Sequence, residues 1–402
     1  MMAIWFRVVL VLAMAMPMLV LYAISALGPF LTLDLHFKPE LLGYLLMSSF
    51  GLAAVLSLWA GAFVDRVGTR YSLIVLFSTI AFAFTLIATV QNFYGLLAAT
   101  AICGIAQALA NPVTNLLITQ QVPAEKKAKA VGLKQAGVQL AALFAGLVLP
   151  GIALRYGWPT AFGLIVPVAV LLGIAAPLFT PGKHSGTNRG FSLSPPNSLL
   201  MWLIVTQFCV GVSLSAFVTF LPTFAARQGM PLSLAGSLIA VFGVMGVISR
   251  IVLTPIGAKL KDESALLLLL IAIAACAIAV TMHADLENHW LLWIGAASMG
   301  LTAAGTNAIA MSMLVRDPKF GPVTITSGYV SVGFFSGFAL GPPLFGVLSS
   351  SSPDMSSGWV VLIGVLMAAC LTVLALASAR RRKTQALAVA ASHGQRTSTV
   401  KM

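Results

Sequence analysis

No Asp, Glu, Lys or Arg occurs between Arg70 and Glu125, nor between Tyr156 and Gly182, Gly190 and Ala226, Gln228 and Ser249, Phe320 and Pro353, or Met355 and Ala379. A helix needs about 20 mostly apolar residues to cross a bilayer core, and each of these gaps has room for one or two. Hydrophobic residues fill 59% of the 402 positions and charged residues 8%. A soluble domain carries about 25% charged residues. A chain this apolar needs lipid as its solvent, so it reads as an all-α integral membrane protein and not as the buried helices of a soluble one.

Arg7 followed by an apolar run is also how a signal peptide begins. The run from Val8 to Leu33 exceeds a signal core of about 7–15 residues, so it is expected to be a retained first helix. The four cysteines, Cys103, Cys209, Cys276 and Cys370, fall in four different apolar segments and none lies in a CxxC. They read as small core residues. No nucleophile–base set or metal-ligand cluster emerges, which argues against an enzyme and implies no cofactor, no metal and no catalytic residue.

Turn and charge punctuation predicts helices over 8–31, 41–61, 71–91, 95–119, 130–153, 159–179, 199–223, 232–256, 264–282, 290–314, 322–347 and 358–379. These are twelve spans. The Gly-, Ser- and Pro-rich stretch Pro181–Ser198 marks a loop and divides the chain into a first six-helix bundle (1–180), a link (181–198) and a second six-helix bundle (199–380). The basic stretch 381–402 is expected to be a tail without regular structure.

Lysine and arginine set the orientation of membrane helices. With the N-terminus in the cytoplasm, the even-numbered connections and the tail hold Arg66, Arg70, Lys126, Lys127, Lys129, Lys183, Arg189, Lys259, Lys261, Arg316, Lys319, Arg380, Arg381, Arg382, Lys383, Arg396 and Lys401. Arg7 joins them, and only Lys38, Arg155 and Arg227 fall on the other side. Both termini are therefore expected in the cytoplasm of a cell (inner or plasma) membrane protein. The net charge of +13 is then a topology signal with attraction to anionic lipid, and not a nucleic-acid surface. Two of the 23 basic residues remain, Lys134 and Arg250, and both fall inside predicted helices.

The halves repeat at an offset of 196 residues. Gly61-Ala62 returns as Gly257-Ala258, Gly104 as Gly300, Asn111 as Asn307, and Gly137 as Gly333. One offset serving three different spans points to two pseudo-symmetric bundles, a signature of many secondary transporters.

The stretch after the second span reads Gly61-Ala-Phe-Val-Asp65-Arg66-Val-Gly68-Thr-Arg70. It resembles the G-x-x-x-D-R-x-G-x-R signature of the major facilitator superfamily, at the place where that family carries it. The resemblance covers nearly the whole chain, to about Arg380, and implies a twelve-helix secondary transporter working by alternating access. It implies that Asp65 faces the cytoplasmic, N-terminal end of the eleventh span, where the helix dipole is positive, and holds a gate shut. It implies further that Arg66 and Arg70 pair across that gate or face lipid phosphates. Gly61 and Gly68 suit a tight turn and close helix approach. The second copy is degraded: Gly257 is kept, but Lys261 stands where Asp65 would recur, with Asp262 one place later. The chain also lacks the fourth-span arginine of many proton-coupled exporters in the family, and Gly146-Leu-Val-Leu-Pro150-Gly151 only partly echoes the antiporter motif.

All ten acidic residues lie at or beyond predicted helix ends. Ionisable groups inside a membrane are functional candidates because burying them is costly, and here only cations qualify. Lys134 lies about one turn into the fifth span. Arg250 lies about 10 Å before Gly257 at 1.5 Å per residue. In the family both of these spans border the central cavity. Cations without a carboxylate partner suggest that the partner arrives as the solute, and an arginine fork suits a carboxylate or phosphate. Against this, Lys134 can snorkel to the interface and Arg250 can be structural. Gln135, Gln107, Asn111 and Asn307 are the polar amides of the candidate site. They fit either solute binding or glue between helices, as do Gln139 and Asn115. Met311 and Met313 fit packing better than a copper site. The expected function is transport of a small organic anion, with uptake favoured and a proton as a possible coupling ion. The chain is expected to be a monomer. Export of hydrophobic or cationic compounds is the competing reading.

Overall fold

Lipid offers no partner for an open backbone N–H or C=O, so a chain this apolar must satisfy its backbone within helices. The computed structural model describes residues 2–123, 126–178, 180, 195–260, 262–321, 323–350, 352 and 354–399. Among them are fourteen α-helices and no strand. In chain order these are α1 (Met2–Asp34), α2 (Leu42–Val67), α3 (Thr69–Thr89), α4 (Phe93–Gln121), α5 (Lys127–Tyr156), α6 (Trp158–Gly163), α7 (Ile165–Leu178), α8 (Ser198–Arg227), α9 (Leu232–Lys259), α10 (Glu263–Met282), α11 (Trp290–Leu301), α12 (Ala303–Arg316), α13 (Val323–Ser349) and α14 (Ser356–Thr399).

Each of the twelve expected spans is found, and two are interrupted. The sixth span divides into α6 and α7 at Leu164. Pro167 explains this break, because its ring clashes with the carbonyl four residues back, and that residue is Gly163, the last of α6. The tenth divides into α11 and α12 at Thr302, whose hydroxyl donates back to the Ser298 carbonyl at 2.6 Å, a bond that bends helices. The last helix continues through Thr399, where the sequence suggested a tail without regular structure. The link 181–194, Glu125, Lys261 and the side chains of the tail beyond Arg382 lie outside the described residues.

Within the first half, α5 packs on α1, α2 on α4, and α3 on α4 and α7. Within the second, α8 packs on α13 and α14, α9 on α11, and α10 on α14 and α11. Two of the three repeated glycine pairs occupy equivalent joints. A Cβ at Gly104 would strike the Ser49 carbonyl of α2, and one at Gly300 the Phe242 carbonyl of α9. A Cβ at Gly137 would strike the Val11 carbonyl of α1, and one at Gly333 would meet Ile204 of α8. The offset of 196 residues thus marks places where two helix backbones touch in each half. Large apolar side chains such as Leu147, Leu171, Ile174 and Leu371 point outward, exposed, and form the surface offered to lipid.

The halves join along α5–α9, α2–α13 and α1–α8. Most of these contacts lie toward the face opposite the termini. There a Cβ at Gly28 would meet Thr223, one at Gly236 would meet Pro150 and the Ala26 carbonyl, and one at Gly346 would meet the Glu40 backbone. Arg227 Nη2 and Glu40 Oε1 form an ion pair across the halves at 3.0 Å. The substantial contacts of α4 stay in the first half, and those of α12 in the second. The molecule is held shut at the face away from its termini.

Candidate functional site

Lys134 is 1% exposed. Its Nζ donates to Asn111 Oδ1 at 3.2 Å, Thr114 Oγ1 at 3.0 Å and Asn115 Oδ1 at 2.6 Å. The snorkelling role is therefore not what the structure shows. The three acceptors sit at i, i+3 and i+4 on α4, which places them on one helix face. An ammonium has three protons to donate, and here all three go to neutral oxygens. These hydrogen bonds brace α5 against α4. The Asn-x-x-Thr-Asn spacing on α4 was the one sequence signal that could have indicated Thr114.

Arg250 lies on α9, half-buried. Its Nη1 donates to the backbone carbonyl of Gln135, and to Gln135 Oε1 at 2.9 Å. Since Gln135 belongs to α5, this bond crosses the two halves next to Lys134 in sequence. The other edge of the guanidinium is almost uncommitted. Nη2 is 3.5 Å from the Ala304 carbonyl, at the limit of a hydrogen bond, and Nε is buried with no partner. Among the described residues neither Lys134 nor Arg250 forms an ion pair with a carboxylate.

The remaining amides divide. Gln107 is buried and donates to the Pro17 carbonyl of α1 at 3.0 Å. It ties two helices together in the manner of interhelical glue and does not reach the two cations. Gln139 is buried on the α5–α9 seam with its Oε1 unpartnered, packed against Gly246. Asn307 is half-buried on α12. Met313 is fully buried in the core, where packing was expected.

The signature residues cluster at the α2–α3 turn. Gly68 has φ of +84°, a region that favours glycine, and its N–H donates to the Val64 carbonyl at 2.9 Å. A Cβ at Gly61, by contrast, would meet nothing within 4 Å, so the close approach expected there is not found. Gly257 is buried, with Leu266 Cδ2 3.2 Å from the position of a Cβ. Asp65 is half-buried, and Arg66 and Arg70 are exposed. In the second half Asp262, Glu263 and Asp317 brace their own half. Arg380 reaches Asp262 at 3.0 Å and Asp317 at 3.1 Å, and Arg316 reaches Glu263 at 2.6 Å.

The family model of the Major Facilitator Superfamily matches residues 9–320. The chain belongs to the major facilitator superfamily. It is a transporter, multi-pass in a membrane. A similar protein is the uncharacterized MFS-type transporter YtbD of Bacillus subtilis (strain 168), 24% identical over 299 residues that span 72% of this chain and 74% of the relative. Solved structures share the fold. A mutant of the nucleoside transporter NupG is 15% identical with a TM-score of 0.73, covering 92% of this chain and 99% of its own. A bacterial homologue of the human lysosomal transporter Spinster, in an inward-facing and occupied conformation, is 15% identical with a TM-score of 0.69, covering 93% of this chain and 96% of its own. A structure from work on proton-dependent oligopeptide transporters is 14% identical with a TM-score of 0.72, covering 94% and 99%. At these identities the structures speak for the fold of this transporter alone.

Proposed function

We propose that this transporter carries a small organic anion, such as a carboxylate, by alternating access, with uptake favoured and the basic face in the cytoplasm. One observation carries the reading. Gln135 holds Arg250 by Nη1, and the Nε–Nη2 edge is left nearly uncommitted. That edge is a planar fork of two N–H donors, the geometry that takes a carboxylate in bidentate fashion. Lys134 adds a second positive charge, and no carboxylate among the described residues pairs with either. With the basic face cytoplasmic, the arrangement is inward-facing. Anionic lipid gathers at that face, a proton is available to accompany the solute, and the chain works as a monomer.

Proton-coupled export of hydrophobic or cationic compounds, or of a metabolite, is the second reading. An almost wholly apolar groove lined by Met47, Phe208, Val212, Leu340, Leu344 and Val365 among others would suit a hydrophobic compound, although Met47, Leu340 and Leu344 are exposed, as are the side chains offered to lipid.

Affinity for labelled organic acids, measured on purified monodisperse protein, separates the two. Arg250→Lys keeps the charge and loses the fork, so binding weakens. Arg250→Ala weakens it further, by about 2–5 kcal/mol for a desolvated pair. An Arg250→Ala variant that folds well and binds organic acids as tightly as the unaltered protein would remove the anion reading and leave the exporter in its place.

A further inference from the structure

The seam between α9 and the interrupted tenth span gathers unpartnered polar atoms. Ser249 is 0% exposed, and its Oγ has no hydrogen-bond partner. The adjacent Arg250 Nε has none either. Ser249 Oγ lies against the first turn of α12, since a Cβ built on Gly305 would fall 2.3 Å from it. The Arg250 guanidinium reaches the same turn, with Nη2 at 3.5 Å from the Ala304 carbonyl.

The helix start itself is unusual. α12 begins part-way along a membrane span, at Ala303. Thr302 gives it no side-chain cap, because its hydroxyl is turned back onto Ser298. The first turn of a helix presents N–H groups and the positive end of the dipole; here the Gly305 N–H turns back onto the Thr302 carbonyl at 3.0 Å, so the turn contributes its dipole and its earlier N–H groups. That combination favours an anionic oxygen, and interrupted helices in secondary transporters aim such starts at anionic groups of their substrates.

We propose that Ser249, the Nε–Nη2 edge of Arg250 and the first turn of α12 form a single oxyanion subsite that takes the carboxylate of the solute. The inference rests on the anion reading and adds the residues that would select the group. Ser249 supplies a neutral O–H donor. The break at Thr302 supplies the helix start. Gly305 lets the two come together, because any side chain there would displace the Ser249 hydroxyl.

The test is calorimetric binding of acetate, succinate and benzoate to the purified full-length transporter in detergent, with thermal unfolding alongside. Ser249→Ala is expected to weaken carboxylate binding about tenfold, the effect of losing one hydrogen bond to a charged group. Gly305→Ala is expected to weaken it similarly and to lower the melting temperature, because its methyl crowds Ser249. In the double variant, Ser249→Ala with Gly305→Ala, the remaining Cβ at 249 would be 3.6 Å from the new methyl, an ordinary contact. Stability should then return and affinity should not. If Ser249→Ala or the double variant binds carboxylate as tightly as the unaltered protein while Arg250→Ala does not, the subsite is wrong and the anion reading stands. If Arg250→Ala also keeps full affinity, or the unaltered transporter binds none of the three acids, both fall.

Discussion

Arg227, at the end of α8, places its Nη2 3.0 Å from Oε1 of Glu40, just ahead of α2, and so ties one half to the other at the face away from the termini. The two side chains are 34% and 19% exposed. A pair this accessible contributes about 0.2–1 kcal/mol. Glu40→Gln is therefore expected to raise the population open at that face by about fivefold at most. Distance measurements between spin labels on the two halves would register it. The effect should fade in high salt, which screens exposed charges. An unchanged distance distribution at low salt would show that the glycine and proline packing around Gly236 and Gly346 closes this face alone.

Asp65 stands half-buried at the end of α2, on the face where the halves are least joined. Asp65→Asn removes a charge suited to the positive start of α13 when that face closes. Solute binding to the purified variant should be unchanged and transport in vesicles should fall, with the population shifted toward the state described here. Equal accessibility of the two faces in variant and unaltered protein would end the gating role.

Lys134 and Arg250 should respond differently to truncation. Removing the Lys134 ammonium leaves Asn111, Thr114 and Asn115 without their shared donor. Lys134→Ala is expected to lower stability by about 1–3 kcal/mol and to reduce carboxylate affinity less than Arg250→Ala does. Thermal unfolding and calorimetry on the same preparations give both quantities. A Lys134→Ala variant that melts normally but binds no carboxylate would reverse the assignment.

The glycines should rank by what their Cβ would meet. Gly137→Ala forces a methyl to 2.3 Å from the Val11 carbonyl, a backbone atom, whereas Gly61→Ala meets nothing within 4 Å. Overpacking costs about 1–3 kcal/mol, so Gly137→Ala should lower the melting temperature and Gly61→Ala should leave it unchanged, although Gly61 belongs to the signature. A loss of transport by a stable Gly61→Ala variant would place its close approach in the opposite conformation.

The sequence by itself determined the solvent, the twelve spans, the twofold repeat and the family, because each rests on local pattern. Runs without charge have to be helical in lipid, and the Gly61–Arg70 signature is contiguous. The offset that pairs Gly104 with Gly300 and Gly137 with Gly333 was legible for the same reason, although that these glycines mark backbone contacts between helices was not. Tertiary structure decided the fate of the polar groups. Gln107 and Gln135 look alike in the sequence, yet one is spent on Pro17 of its own half and the other reaches Arg250 across the seam. The break at Thr302 was hidden because no proline marks it. Its role depends on Ser249 and Gly305 meeting between two helices, and a meeting of residues 56 positions apart is set by how the helices pack, which periodicity along one helix does not encode.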